Sequence, residues 1–354
     1  MTQGKQGCAL FAWKAKGQMA LAAGSVRMRE EKGTRFRFLE VAKNVYAAIA
    51  PAEKLDITDA GMMDNFSNAG LILRGGGLVC DTCFDLPHAQ ELKAFCIEKL
   101  GHAPQTVVNT HGHWDHYWGN QVFADARIMG HRDMLGDCLG DKKKVPVFKL
   151  LHGSKFVQGL LNRMMGGQFK GYLPAGKPFQ MVVKQTEHDF DLTGVVPTPP
   201  TDLFEEKTVL DLDGMRVELI PVGAVHSGSD TIVWMPEESV LFAGDIFADC
   251  SLPMNMEAAR RWLKVLDYIL DELRPVTIVP GHGEVYDAAR AESQRAYFRA
   301  LVERFELYYT DSITEKELID KIDLSDHIKH RPRLAWIMAV KMMLKERRKA
   351  SGSS

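Results

Sequence analysis

His111-Gly112-His113-Trp114-Asp115-His116 places three imidazoles and a carboxylate within six residues. The stretch follows directly on the apolar run Thr106-Val107-Val108-Asn109-Thr110. Neutral imidazole and carboxylate are the ligands that zinc, iron and manganese accept. Four such groups so close together exceed what one tetrahedral ion with an open position needs. The apolar run reads as a buried strand, which puts the cluster on the loop leaving its carboxyl end. A loop there can turn side chains inward from a backbone that the sheet holds rigid. The competing account is a surface turn that merely holds many histidines. It leaves unexplained both the aspartate inside the cluster and the buried strand in front of it.

The stretch resembles the His-x-His-x-Asp-His signature of the metallo-β-lactamase superfamily, and three downstream stretches resemble that family's remaining motifs in the right order. Val222-Gly223-Ala224-Val225-His226-Ser227-Gly228 is similar to its third-histidine loop. Leu241-Phe242-Ala243-Gly244-Asp245 is similar to its bridging-aspartate strand end, and Val279-Pro280-Gly281-His282-Gly283 to its last-histidine loop. The resemblance implies an α/β protein, the four-layer αβ/βα sandwich, whose metal loops gather at one edge. It also implies that Asp81, after the second strand hairpin, supports the metal loop from behind.

The chemistry expected from that ligand set is hydrolytic. His111, His113 and His226 give one ion three imidazoles and leave a fourth position for water, the usual catalytic arrangement. Asp115, His116 and His282 form a second set, and Asp245 can bridge both through its two oxygens. Two such ions, about 3.5–4 Å apart, can share a hydroxide, because metal binding lowers the pKa of water from 15.7 to about 7. Zinc is the first expectation, with iron and manganese also suited to the ligands. Asp115 is the expected catalytic residue, orienting the hydroxide and passing its proton to the leaving group. All seven positions of the family's dinuclear set are filled, which speaks against its single-metal variants.

Around this centre, length and composition set bounds. The 354 residues could hold one large domain or two ordinary ones. A hydrophobic content of 45% and a charged content of 25% are those of an ordinary globular protein. A net charge of −2 gives no general attraction to nucleic acid or anionic membrane. The six cysteines are scattered and do not form a disulfide framework. Cys80-Asp81-Thr82-Cys83 reads as small apolar fillers around a structural aspartate rather than a redox pair. No run of eighteen apolar residues predicts a membrane span, and Lys14 and Lys16 interrupt the apolar start before a secretory h-region forms. The expectation is a cytoplasmic protein with a small-molecule substrate.

The elements that must position the site follow from pattern. Strands are expected over 35–41, 44–49, 68–73 and 77–81, with a helix over 88–100 that Gly101 stops. His88 and His102, at the two ends of that helix, read as surface residues. Strands over 106–110 and 127–130 follow. Regular strands resume over 207–212 and 215–222, hinged by the hairpin signal Asp213-Gly214, and then over 231–235 and 239–243. A helix over 257–273 precedes the last strand, 276–279, and further helices are expected over 288–308, 314–322 and 334–347. The domain expectation is an N-terminal arm over 1–34, a catalytic domain over 35–290, and C-terminal helices over 291–350 packed on it. His131, His152 and His188 fall outside the matched loops and read as structural or surface histidines, although His131 ends a strand on the metal side.

Residues 132–205 do not fit the minimal family pattern and read as an insertion. Aromatic and methionine residues recur in it among Gly, Pro and Lys, and long insertions of this kind are often lids or binding loops. Phe148, Phe156, Phe169 and Tyr172 are the candidate substrate-binding residues. A homodimer contact through the same stretch stays open. Two function classes also stay open. One is a dinuclear hydrolase of an ester, lactone, thioester, sulfate ester or halogenated aromatic. The other is a di-iron redox protein or oxygenase on the same ligands. A phosphodiesterase or nuclease is disfavoured by the balanced charge.

Overall fold

The structure is a computed structural model that describes residues 28–50, 67–153, 191–248, 253, 255–314, 317–318, 340, 343–345 and 347. The side chains of 148, 149 and 151–153 lie outside that description. Two sheets, of eight and five strands, pack face to face. The first contains β1 (Arg29–Lys32), β2 (Arg37–Ala42), β3 (Val45–Ile49), β4 (Ala69–Ile72), β5 (Leu78–Cys80), β6 (Thr106–Val108), β7 (Arg127–His131) and β8 (Asp202–Phe204), side by side in chain order. The second contains β9 (Thr208–Leu212), β10 (Met215–Gly223), β11 (Asp230–Met235), β12 (Val240–Phe242) and β13 (Thr277–Val279), again side by side in chain order.

Three apolar layers hold this stack together. Between the sheets, Val45, Ala47, Ile72, Leu78 and Val108 of the first sheet meet Val217, Leu219, Val233, Val240 and Phe242 of the second. On the outer face of the first sheet, Leu92, Phe95 and Cys96 of α1 (Leu86–Leu100) pack among Leu71, Val79 and Val107. The helices α2 (Trp114–Tyr117), α3 (Met134–Cys138) and α4 (Asp141–Gly153) come between β6 and β8 in the chain. On the outer face of the second sheet, Trp262 and Leu266 of α5 (Met256–Asp267) and Phe298, Leu301 and Phe305 of α6 (Ala288–Tyr309) cover Ile232, Leu241 and Ile278. Strands buried on both faces read as continuous apolar runs. The result is helix, sheet, sheet, helix, the four-layer sandwich expected from the motifs.

Local chemistry starts and stops the helices. Asp85 accepts from the His88 amide at the head of α1, and Gly101, at φ 80°, closes it with a bond to the Ile97 carbonyl. Asn255 and Asp287 cap α5 and α6 in the same way as Asp85 caps α1. Past α5 the chain continues through π-type turns over Tyr268–Leu273, within the span expected to be helical. No described helix is long and apolar enough to cross a membrane.

Three expectations change. The stretch assigned to an N-terminal arm over 1–34 contains β1, which pairs antiparallel with β2; its sequence, Arg-Glu-Glu-Lys, is a charged, mostly exposed edge strand without apolar alternation. The stretch assigned to the 132–205 insertion ends in β8, which pairs parallel with β7, so its last residues belong to the sheet. Only three residues long, that strand carries too little pattern to be seen in sequence. His88 is not a surface residue: it is 1% exposed, with Nδ1 2.6 Å from Asp85 Oδ1, and Phe36 meets its ring edge-on. His102 is exposed, as expected. Of the C-terminal helices, α6 is seen whole; Leu318, Val340, Met343 and Leu344 are buried in the core beside it.

Candidate metal centre

The sandwich brings the chemistry to one edge because every relevant loop leaves a strand there. Asp81 follows β5, the 109–116 loop follows β6, and His131 ends β7. From the second sheet, the β10–β11 turn carries His226, the end of β12 leads to Asp245, and the end of β13 leads to His282. Strands β5, β6 and β7 run parallel, as do β12 and β13, so their carboxyl ends share a side. Ligand sites in such sheets form at those ends. The two sheets are tied there by a bond from the Thr231 amide to the Thr110 carbonyl, 2.8 Å.

Two groups of potential metal-holding side chains result: His111, His113, His226 and Asp245, and Asp115, His116 and His282. Within each, one ligand atom per residue lies within 4.8 Å of the others. His113 Nδ1 is 3.1 Å from His111 Nε2 and 2.9 Å from His226 Nε2. In the second group, Asp115 Oδ2 is 3.2 Å from His282 Nε2 and 3.7 Å from His116 Nε2. Asp245 sits between the groups. Its Oδ2 is 3.1 Å from His226 Nε2, and its Oδ1 is 3.4 Å from His116 Nε2 and 3.5 Å from His282 Nε2. The seven residues singled out in sequence are thus brought together, with Asp245 offering one oxygen to each side.

Hydrogen bonds behind the imidazoles fix which nitrogen faces the centre. Asp81 accepts the Thr110 amide at 2.8 Å through Oδ1 and, through Oδ2, the Thr110 hydroxyl at 2.7 Å and His116 Nδ1 at 2.9 Å. The Thr110 hydroxyl, having given its proton to Asp81, accepts from His111 Nδ1 at 3.0 Å. Both rings therefore carry a proton on Nδ1 and turn Nε2 inward, the nitrogen that a metal-ligating histidine offers. Asp81 takes a left-handed backbone conformation, φ 61°, which Asp tolerates better than most residues.

Charge at the centre matches a cation. His111 and His113 are pushed below the ordinary histidine range, chiefly by burial and then by neighbouring imidazoles, so both are neutral. His116, His226 and His282 are raised. Burial opposes this, but Asp115 and Asp245 outweigh it for His116 and His282, and Asp245 for His226. Burial would raise Asp115, yet the charges of His116 and His282 hold it at about 2. Asp245 is likewise held well below the carboxylate range against its burial, by His282, His116 and His226. The two ionised carboxylates are balanced here by positive charge on the raised imidazoles, a role that a bound cation would take over. His116 Nε2 and Asp245 Oδ1, both buried, have no hydrogen-bond partner in the protein. Buried polar atoms without partners are costly, and a divalent cation would satisfy both atoms at once. The donor set therefore fits one.

Asp81 supports the metal loop as the resemblance implied, but the other supporting residues were not legible in the sequence. Asp230 accepts from the amides of Val225, His226 and Ser227 and from the Ser227 hydroxyl, winding the third-histidine loop around one buried carboxylate. The polar run Ser227-Gly228-Ser229-Asp230 is a turn signal that could have marked it. Asn68, just before β4, donates to the carbonyls of Pro280 and Gly283, holding the last-histidine loop from 212 and 215 residues away in the chain. No local signal announces such a bond. Gly281 has no room for a side chain: a Cβ there would sit 1.9 Å from Asp245 Oδ1 and 2.9 Å from the backbone of Gly244. His131 bonds Ser229 at 2.7 Å rather than facing the cluster. Phe156, Phe169, Tyr172 and His188, and the side chains of Phe148 and His152, lie outside the described residues.

Comparison with known proteins agrees with this geometry. The family model of the metallo-beta-lactamase superfamily matches residues 62–282. A metallo-beta-lactamase type 2 of Bacteroides fragilis is 30% identical over 119 residues, covering 32% of this chain and 47% of that protein. The match thus spans about half the length of the curated relative. Among solved structures, a metallo-beta-lactamase family protein of Thermus thermophilus superimposes with a TM-score of 0.51 at 20% identity, over 87% of this chain and 94% of that one. A stereoselective inverting sec-alkylsulfatase of Pseudomonas sp. gives a TM-score of 0.56 at 16% identity, over 86% of this chain and 49% of that one. At these identities the likeness is one of fold. The motifs, the sandwich and the matched family model agree, and the chain belongs to the metallo-beta-lactamase superfamily, which includes metal-dependent hydrolases.

Proposed function

We propose that this protein is a dinuclear metal-dependent hydrolase of a small organic substrate. The observation that carries the reading is the placement of Asp245, with one carboxylate oxygen toward His226 and the other toward His116 and His282. A carboxylate so placed serves two neighbouring cations better than one. His111, His113 and His226 would hold the first ion and Asp115, His116 and His282 the second, with zinc the first candidate for an imidazole-rich set. When bound, such ions lower the pKa of water toward neutrality and offset charge developing on substrate oxygens.

The chain's own residues supply the rest. Asp81 and Thr110 hold His116 and His111 in one tautomer. Asp115 is the more open of the two central carboxylates, with 19% of its side chain exposed against 7% for Asp245. Ionised and partly exposed, it can accept a hydrogen bond from the attacking water. It would take that proton and return it to the departing group, so that for an ester or sulfate ester one water is consumed and an alcohol and an acid are released. Asp115 is the proposed catalytic residue for this reason.

Substrate candidates are an ester, lactone, thioester, sulfate ester or halogenated aromatic. Sulfate esters come first, because the alkylsulfatase of Pseudomonas sp. shares the fold over 86% of this chain. The test is elemental analysis of purified protein followed by a panel of ester, lactone, sulfate and phosphodiester substrates, with and without chelator. Close to two ions per chain and a chelator-sensitive hydrolysis are expected. Metal content near zero after careful loading would overturn the reading. Two irons together with oxygen consumption would replace it with an oxidative one.

A further inference from the structure

The short helix α3 opens the segment between β7 and β8, where no metal ligand was expected. It is seated between two glycines, each inside a histidine loop. A Cβ at Gly112, between His111 and His113, would lie 2.7 Å from Asp137 Cβ and 2.8 Å from the Met134 carbonyl oxygen. A Cβ at Gly228, two residues after His226, would lie 2.8 Å and 3.0 Å from the two carboxylate oxygens of Asp137. The Gly228 amide donates to Asp137 Oδ2 at 3.0 Å. One aspartate thus bonds the backbone of the His226 loop and fills the space a side chain would need in the His111–His113 loop.

We infer that Asp137 is a positioning residue, which clamps the His226 loop to the His111–His113 loop and so sets the geometry of the three-histidine site. The inference rests on the proposal that this group holds a metal ion. The loop is stiff internally, since Asp230 binds the amides of Val225, His226 and Ser227. A stiff loop moves as a unit, so an external tie at Gly228 governs where His226 Nε2 stands relative to His113 Nδ1. A second tie from the same side, Ser229 Oγ to His131 Nδ1 at 2.7 Å, holds the loop's far shoulder. His131 also receives the Asp133 amide, at 3.2 Å, which links that tie to the turn leading into α3. The structure therefore couples the segment between β7 and β8 to the His226 loop, which serves the three-imidazole group and supplies nothing to the group of Asp115, His116 and His282.

This selectivity separates a positioning role from a merely structural one. Outer partners of metal ligands are worth about 10–100-fold in metal affinity. The clamp can be broken from either side. Asp137→Ala removes the acceptor, and Gly228→Ala places a methyl against the carboxylate, which can swing away because it ends a side chain. Asp137→Asn keeps an amide oxygen that can accept from Gly228 and serves as the rescue. Cobalt(II) titration of metal-free protein, read by its visible spectrum, gives stepwise affinities, which His226→Ala and His282→Ala assign to the two groups. Hydrogen exchange of the 225–230 segment in metal-free protein gives a readout independent of metal.

Asp137→Ala and Gly228→Ala should each weaken the step assigned to His226 by about 10–100-fold, speed exchange over 225–230 and leave the other step in place. Asp137→Asn should stay close to wild type. Wild-type affinity and exchange in Gly228→Ala, or equal weakening of both steps, would overturn the inference while leaving the metal reading intact. No cobalt binding by the unaltered protein would overturn both.

Discussion

Asp81 Oδ2 lies 2.9 Å from Nδ1 of His116, so a carboxylate at the end of β5 decides which nitrogen of that imidazole faces Asp115 and Asp245. Asp81→Asn tests this. The amide can still accept the Thr110 N–H, but its NH2 group must then face His116 Nδ1, driving the proton to Nε2 and blocking the inward lone pair. Metal affinity should fall about 10–100-fold, with a modest change in Tm. Asp81→Ala should cost stability as well. It strands buried donors, at about 1–3 kcal/mol each, and places alanine in a left-handed conformation at about 1–2 kcal/mol. Isothermal titration with zinc and thermal melts of metal-free protein separate the two effects. Unchanged affinity in Asp81→Asn would show that the tautomer is set elsewhere.

Replacing ligands should reveal two groups. Metal analysis of His226→Ala should show loss from one site, and of His282→Ala loss from the other. Asp245→Ala should disturb both, because one of its oxygens is 3.1 Å from His226 and the other 3.5 Å from His282. Full occupancy and rate in Asp245→Ala would rule out a bridging role.

Cys96 gives an alkaline signature independent of the metal. Burial pushes its thiol from 9.0 up to about 12. The unfolded chain therefore loses this proton near pH 9 while the folded chain keeps it. The stabilisation is complete below the unfolded value and is lost as pH rises from about 9 toward about 12, by up to about 1.4 kcal/mol per pH unit. Urea melts between pH 8 and 10.5 should show stability falling, with the slope reduced in Cys96→Ala. Alkylation of native protein at pH 8 should leave Cys96 unmodified. Rapid labelling there would contradict its burial.

Phe148, Phe156, Phe169 and Tyr172 are proposed to wall the substrate pocket. The metal loops form one edge of the sandwich, and a small organic substrate needs apolar walls on several sides. The start of their segment is anchored beside the site: Asp141 Oδ2 accepts the Tyr117 hydroxyl at 2.6 Å and the Trp118 indole at 2.9 Å, next to His116. Alanine at one or more of the four should lower kcat/KM about ten-fold or more without changing the elution volume on gel filtration. Dissociation of a dimer with unchanged kinetics per site would assign the same residues to an interface instead.

The candidate ligand motifs were legible because metal chemistry restricts residue type and because each motif closes a strand whose apolar run is itself visible. His111, His113, Asp115 and His116 needed only local spacing, whereas His226, Asp245 and His282 were picked out by the resemblance of their stretches, in order, to the family's motifs. The sandwich followed from two series of apolar strands with helices after each. Tertiary structure alone decided the supports other than Asp81. Asn68 acts across more than two hundred residues of chain, and Asp137 reaches Gly228 from a helix 91 residues earlier. His88 looked like a surface histidine at a helix end until Asp85 and Phe36 were seen to enclose it. Strands β1 and β8 were hidden for a related reason: one is charged and the other three residues long, and both exist only because a neighbouring strand offers them hydrogen bonds. Sequence pattern records what a residue does for its own segment, whereas these residues act on backbone that the chain brings near only when it folds.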